Sequence, residues 1–238
     1  MSLVLIFLAI IIFVGLIYWL LMSSYSQVFG YYPWRAKTSS KQIAITFDDG
    51  PNDPYSSELL DYLDNKKVKV SFFLVGKCIE RYPETAKRII SDGLLVANHT
   101  ATHQFRNYLT SPTMESEIQS NQQIIKKILG VTPMIYRSPW LMRHPLIFYT
   151  LRKSKLTAVS GEFCHSLEVA GIDSKKIAAA ALKKAKPGAI LIFHDGVEGQ
   201  GGDRSQSVAA AIIVIDELIR RGYQLVRVDQ LLKLQAYR

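Results

Sequence analysis

The side chains best suited to chemistry fall in four short polar clusters, each directly after an apolar run. The first is Thr46-Phe47-Asp48-Asp49-Gly50-Pro51. Adjacent carboxylates repel each other, and a cation beside them relieves that cost. The same Asp-Asp-Gly-Pro letters also make a good solvated turn. The second cluster is His99-Thr100-Ala101-Thr102-His103. Two imidazoles four apart share one face of a helical turn, where both can reach one metal at about 2.0–2.1 Å. A surface pair is the plainer alternative. Together with Asp49 they form a two-His, one-carboxylate set with open positions, which suits zinc as a hydrolytic Lewis acid. Ferrous iron in an oxygenase uses the same set, usually on other folds.

The third cluster is Arg137-Ser138-Pro139-Trp140. An arginine at a strand end can fix a carboxylate by a bidentate pair, and Trp140 can wall a sugar-sized pocket. A structural ion pair and a core tryptophan explain the same letters. The fourth is His194-Asp195-Gly196, where His194 is placed to act as a general acid near neutral pH. A histidine satisfied by a local hydrogen bond is the alternative there.

The elements that must carry these clusters alternate. Strand-like runs cover Gln42–Phe47, Val70–Val75, Leu94–Ala97, Met134–Tyr136, Leu156–Ser160, Ala189–Phe193 and Gln224–Val228. Helical patterns cover Pro54–Asn65, Pro83–Ser91, Ser111–Leu129, Lys175–Lys184 and Val208–Arg221. Ser111–Pro112 supplies a cap and a proline for the first turn, and Gly93, Gly130 and Gly222 stop helices. About seven strands alternating with helices mean a parallel sheet with helical cover. That predicts an α/β barrel near the small end of its size range, with the four clusters at strand C-terminal ends, the face that carries active sites. An open doubly wound sheet is the competitor, but no G-x-G-x-x-G follows the first strand, which argues against a dinucleotide site.

The chain has 238 residues, 48% hydrophobic and 21% charged, too apolar for a disordered chain. Its two cysteines, Cys78 and Cys164, exclude a disulfide-built scaffold. Two buried free thiols are expected; a single bridge would require an oxidising compartment. Lys+Arg 29 against Asp+Glu 20 give a net charge of +9, all of it from Arg35 onward. A solvated basic surface accounts for that. An anionic partner is also compatible, but no zinc-finger spacing, basic helix or aromatic-basic interleaving favours nucleic acid.

Leu3 to Met22 reads LVLIFLAIIIFVGLIYWLLM, uncharged throughout. As a helix it spans about 30 Å, the thickness of a hydrocarbon core. Tyr18 and Trp19 near its end match an interfacial aromatic belt. The run is long for a signal peptide, no Lys or Arg precedes it and no A-x-A site follows. Residues 1–22 are therefore expected to anchor the chain in a membrane, 23–40 to form a linker and 41–238 the catalytic domain. Arg35, Lys37 and Lys41 after the span would, by charge alone, keep that domain cytoplasmic.

In order, T-F-D-D-G-P, H-T-x-x-H, R-x-P-W and a late apolar strand ending in His-Asp resemble the polysaccharide deacetylase family, the NodB homology domain of carbohydrate esterase family four. The resemblance covers roughly residues 41–233. It implies a distorted (β/α)7 barrel, here preceded by one transmembrane helix, and a divalent metal, usually zinc. It implies hydrolysis of N-acetyl or O-acetyl groups on amino-sugar glycans such as peptidoglycan or chitin-like oligosaccharides. By the same resemblance Asp49, His99 and His103 are the metal ligands, Asp48 is the base, Arg137 positions it, and His194 is the acid. Trp140 and Pro139 are the substrate-binding residues, with Trp140 lining the acetyl pocket and lending a backbone N–H. The family's substrates also imply an extracytoplasmic domain, against the weak charge rule.

Three departures stand out. Leu141 occupies the place where the arginine motif usually has Gly. The family's Asp-Trp segment is absent; Ser160-Gly161-Glu162-Phe163-Cys164-His165 stands there, so Glu162 is the expected replacement for the aspartate that tunes the acid, and the pocket tryptophan has no counterpart. No separate sugar-binding module is expected within these residues. These departures leave room for a related amide hydrolase acting on a small or lipid-linked sugar, or for a non-catalytic glycan-binding protein on the same fold.

Overall fold

A computed structural model describes residues 3–166 and 168–238. Its strands are β1 (Gln42–Asp48), β2 (Ser71–Leu74), β3 (Leu95–Asn98), β4 (Ile135–Tyr136), β5 (Thr157–Ala158), β6 (Glu162–Phe163), β7 (Ile190–His194) and β8 (Gln224–Leu225). Every pairing is parallel, in the order β5-β4-β3-β2-β1-β7-β6, with β8 on the lower end of β1. The sheet curls into the distorted (β/α)7 barrel expected, with β8 added at the base of β1. Strands covered on both faces must be apolar throughout, and β1 is buried from Ile43 to Asp48.

Helices α1 (Leu3–Met22), α2 (Tyr55–Lys66), α4 (Pro83–Ser91), α5 (Ser111–Leu129), α7 (Ser174–Lys184) and α8 (Ser205–Arg220) lie where the periodicity places them, α3 (Gly76–Arg81) falling between α2 and α4. The sequence reading missed α3 and α9 (Val228–Leu232), each too short for a convincing period, and also α6 (Pro145–Ser154), which is no shorter than α4. The stretch to Val228 read as a last strand ends at Leu225, because Val228 opens α9. Cys78 and Cys164 are buried free thiols.

The register aligns the chemistry. Pairing of β1 with β7 sets Asp48 opposite His194. Pairing of β2 with β3 sets Leu74 opposite Asn98, and β3 with β4 sets Asn98 opposite Tyr136. His99 and Arg137 therefore leave their strands at one level, beside Asp48 and Asp49.

The barrel has a seam. Among the described residues β5 and β6 do not pair; residues 159–161 run between them. Residues 23–40, read as a linker, pack against this seam. Pro33 O accepts from Ser160 N at 2.8 Å, Arg35 bridges Ala189, and buried Tyr32 accepts from Ser138 N at 2.8 Å through its hydroxyl. Buried Arg143 donates to Ser26 O at 2.5 Å and lies over the Tyr32 ring, its Cζ 4.3 Å from the centroid. The segment is a strap sewn onto the barrel.

Helix α1 differs from all others: it is exposed from Leu3 to Trp19, and burial begins only at Leu20. It is long and apolar enough to cross a membrane.

Candidate active site

Asp48, Asp49, His99, His103, Trp140, Leu141, Phe163, Glu168 and His194 line one cleft of about 470 Å³ at the C-terminal end of the strands. A larger cleft of about 1010 Å³ lies between the strap and Leu231–Lys233, but it holds no carboxylate or imidazole.

Asp49, His99 and His103 are buried, with ligand atoms all within 4.8 Å of one another. Asp49 Oδ1 lies 3.3 Å from His99 Nε2 and 3.1 Å from His103 Nε2. His99 Nδ1 is 2.8 Å from the carbonyl of Arg137. A carbonyl only accepts, so Nδ1 carries the hydrogen and a neutral His99 turns the Nε2 lone pair toward the carboxylate. Lone pairs face each other there unless a cation intervenes. Burial opposes ionisation of Asp49, but the charge of His103 holds its carboxyl well below the usual range. The donor set therefore fits a divalent metal with nitrogen and oxygen ligands. Asp49 and His103 both have left-handed backbones, φ 74° and 57°, which aim their side chains into the cleft. Such strain collects at functional sites. Glu198, which no motif singled out, closes this side: its N–H donates to Asp49 Oδ2 at 3.0 Å and its carboxylate accepts from Trp140 Nε1 at 3.1 Å.

Asp48 points at a different partner. Arg137, fully buried, donates Nη1 to Asp48 Oδ1 at 2.6 Å and to Thr46 Oγ1 at 2.7 Å. Its Nε and Nη2 reach Val159 O and Ser160 O at 3.2 and 2.9 Å. One side chain thus orients the carboxylate and ties the seam. The backbone N–H groups of Asp195 and Gly196 donate to Asp48 O at 3.3 and 3.4 Å. The His-Asp-Gly motif therefore also pins the end of β1.

The carboxylate on His194 corrects the reading of Glu162. Glu162 accepts from Tyr25 of the strap at 2.9 Å and does not line the cleft. As the first residue of β6, its side chain is committed to the strap side. Glu168, on a single helical turn Glu168–Ala170, reaches His194 instead. Its Oε2 lies 3.0 Å from His194 Nδ1, Oε1 accepts from His194 N at 2.9 Å, and Ser207 Oγ donates to the same Oε1. Burial pushes the His194 pKa down, but the charge and hydrogen bond of Glu168, with Asp49 and Asp48 behind, raise it to about 9. A choice between two nearby glutamates depends on the loop path, which no local pattern encodes.

The missing tryptophan also has a stand-in. Phe163 stacks on His194 with centroids 5.9 Å apart and planes 8° apart. On the far wall Trp140 packs edge-on to His103 at 4.5 Å. Pro139 is buried and starts the turn that presents Trp140; it does not line the cleft. Trp140 and Leu141 both have φ 53°. Glycine adopts that conformation freely; Leu141 holds it at a cost of about 1–3 kcal/mol and lends the cleft an isobutyl wall.

A family model described as polysaccharide deacetylase matches residues 35–159. A peptidoglycan-N-acetylglucosamine deacetylase of Bacillus cereus is 31% identical over 205 residues, 86% of this chain and 94% of that protein. A chitooligosaccharide deacetylase of Rhizobium leguminosarum bv. trifolii is 29% identical over 198 residues, 80% of this chain and 91% of that protein. The solved structure of the peptidoglycan deacetylase PdaC from Bacillus subtilis superposes with a TM-score of 0.70 at 30% identity, covering 81% of this chain and 90% of that one. Motifs, barrel and relatives agree: the chain belongs to the polysaccharide deacetylase family of carbon–nitrogen hydrolases.

Proposed function

We propose that this chain removes N-acetyl groups from amino-sugar glycans, with a divalent metal, most simply zinc, held by Asp49, His99 and His103. Helix α1 anchors it, with the domain, residues 41–238 and the strap, on the extracytoplasmic side. The observation that carries this is the convergence of two differently partnered acid–base groups on one cleft: Asp48 with Arg137, and His194 with Glu168.

When bound, the metal supplies a Lewis acid beside the acetyl carbonyl. Asp48, fixed by Arg137, takes the proton from the attacking water. His194, kept protonated by Glu168, gives its proton to the departing sugar nitrogen, since an amide anion does not leave. Trp140 and Phe163 wall the acetyl and sugar faces and exclude water.

The first experiment measures acetate release from N-acetylglucosamine oligomers and peptidoglycan by the full chain in detergent. Release should stop with a chelator and return with zinc. Release indifferent to the chelator would refute the metal reading, and no release from either glycan would refute free amino-sugar oligomers and wall peptidoglycan as the substrates.

Glu168→Gln tests the acid. His194 acts as a cation, so the rate falls as pH rises through its pKa. Removing the carboxylate that raises that pKa should move the alkaline limb of kcat down by about one pH unit or more. An unmoved limb would remove His194 and Glu168 from the mechanism, whereas a purely structural role would lower the rate equally at every pH.

A further inference from the structure

Helix α1 and the cleft meet. Tyr18 of α1 lines the cleft together with Asp48, His99 and His194. The junction is fixed: Arg143 N donates to Leu21 O at 2.7 Å, and Arg143 Nε donates to the carbonyl of Leu141, another cleft residue, at 3.2 Å. The strap leaves no slack, because it is hydrogen-bonded along the barrel at Ser26, Tyr32, Pro33 and Arg35. The domain cannot swing out on a flexible tether without breaking those bonds.

The level of the cleft follows from helix geometry. A 20-residue helix rises about 30 Å, which matches the hydrocarbon core. Tyr18 lies about 6 Å from its end. With α1 across a bilayer, the wall formed by Tyr18 stands where acyl chains give way to headgroups, where Tyr and Trp settle. The rim agrees. Phe105, packed edge-on to the cleft residue Trp140 at 5.4 Å, is 52% exposed. Arg106, exposed beside Phe105, places one of the chain's 29 basic side chains there. An exposed aromatic ring beside an exposed arginine suits an anionic lipid surface.

We infer that the substrate of this cleft is an N-acetylated amino sugar joined through phosphate to a membrane lipid and taken at the bilayer surface, in preference to glycan strands in the wall. This rests on the deacetylase reading. The reaction is the same: water adds to the acetyl carbonyl, the C–N bond breaks, acetate leaves, and the amine stays on the lipid-linked sugar. Such a sugar sits in the headgroup layer, level with the cleft, whereas a wall strand lies beyond it.

The test uses the full chain in vesicles of phosphatidylcholine and phosphatidylglycerol. Acetate release is compared for an N-acetylglucosamine disaccharide on a polyprenyl diphosphate, the same disaccharide free, and purified peptidoglycan. The lipid-linked form should be favoured in kcat/KM by about tenfold or more, the gain expected of confinement at a fitting geometry. A flexible insertion of about six residues between Met22 and Ser23 lifts the domain, and the preference should collapse. Equal or lower kcat/KM on the lipid-linked form, or a preference for peptidoglycan, overturns this inference and leaves the deacetylase standing. A preference that survives the insertion also overturns it, because the position of the cleft would then not be its cause. No acetate from any of the three overturns both.

Discussion

Replacing Asp48 by Asn should lower kcat for acetate release by about a thousandfold, within the range a general base supplies. Asn keeps an oxygen that accepts from Arg137 but cannot take a proton. The side chain is nearly isosteric and its partners are in place, so the fold should hold and the cation site beside it should still fill. A thousandfold is about 4 kcal/mol of barrier, far more than a repositioned water accounts for. The measurement is kcat together with bound metal per chain. A variant within tenfold of the parent, with its metal retained, would show that another group takes the proton.

Arg137→Ala should destabilise the protein by about 3–5 kcal/mol, the cost of stranding one partner of a buried ion pair. Three losses coincide. The Asp48 carboxylate keeps no charge partner, the carbonyls of Val159 and Ser160 lose their donors, and the ring of Phe73, 3.8 Å from the guanidinium carbon, loses its cation. Arg137→Lys keeps the charge but cannot bridge four acceptors, so it should fall between the two. Denaturant midpoints measure both. A loss under about 1 kcal/mol for the alanine variant would mean the seam holds without this residue.

What the sequence made legible is what local pattern encodes. The parallel barrel followed from apolar runs alternating with helical periods, and Pro83–Ser91 and Ser111–Leu129 fall where an early proline and a closing glycine place them, although Thr110 and not Ser111 stands at the cap of the second and no side chain caps either. The residues that converge on the cleft were visible because each sits at a strand end, where the register forces convergence. Glu168 and Glu198 were not visible. Both lie in irregular segments whose paths are set by packing, and neither spacing nor composition separates them from surface glutamates. The role given to Glu162 failed for the same reason: adjacency in sequence stood in for a loop trajectory. The strap was misread because Tyr32, Pro33 and Arg35 carry no periodicity; their burial comes from a gap between β5 and β6 that only the closed sheet creates.

Strand β1 lies inside the sheet between β2 and β7, and of its partners only β2 is near in sequence. β7 and β8 come from the far end of the chain, with Ala44 paired to Ile190 and Gln42 to Gln224. Such long-range pairing is slow to form, because loop closure must precede the contacts that reward it. During synthesis the first strand therefore waits, half-partnered, until nearly all of the chain has emerged. His194 meets Asp48 only at that moment. Asp48 and His194 thus face each other across a register that cannot exist until the chain has been made past residue 194.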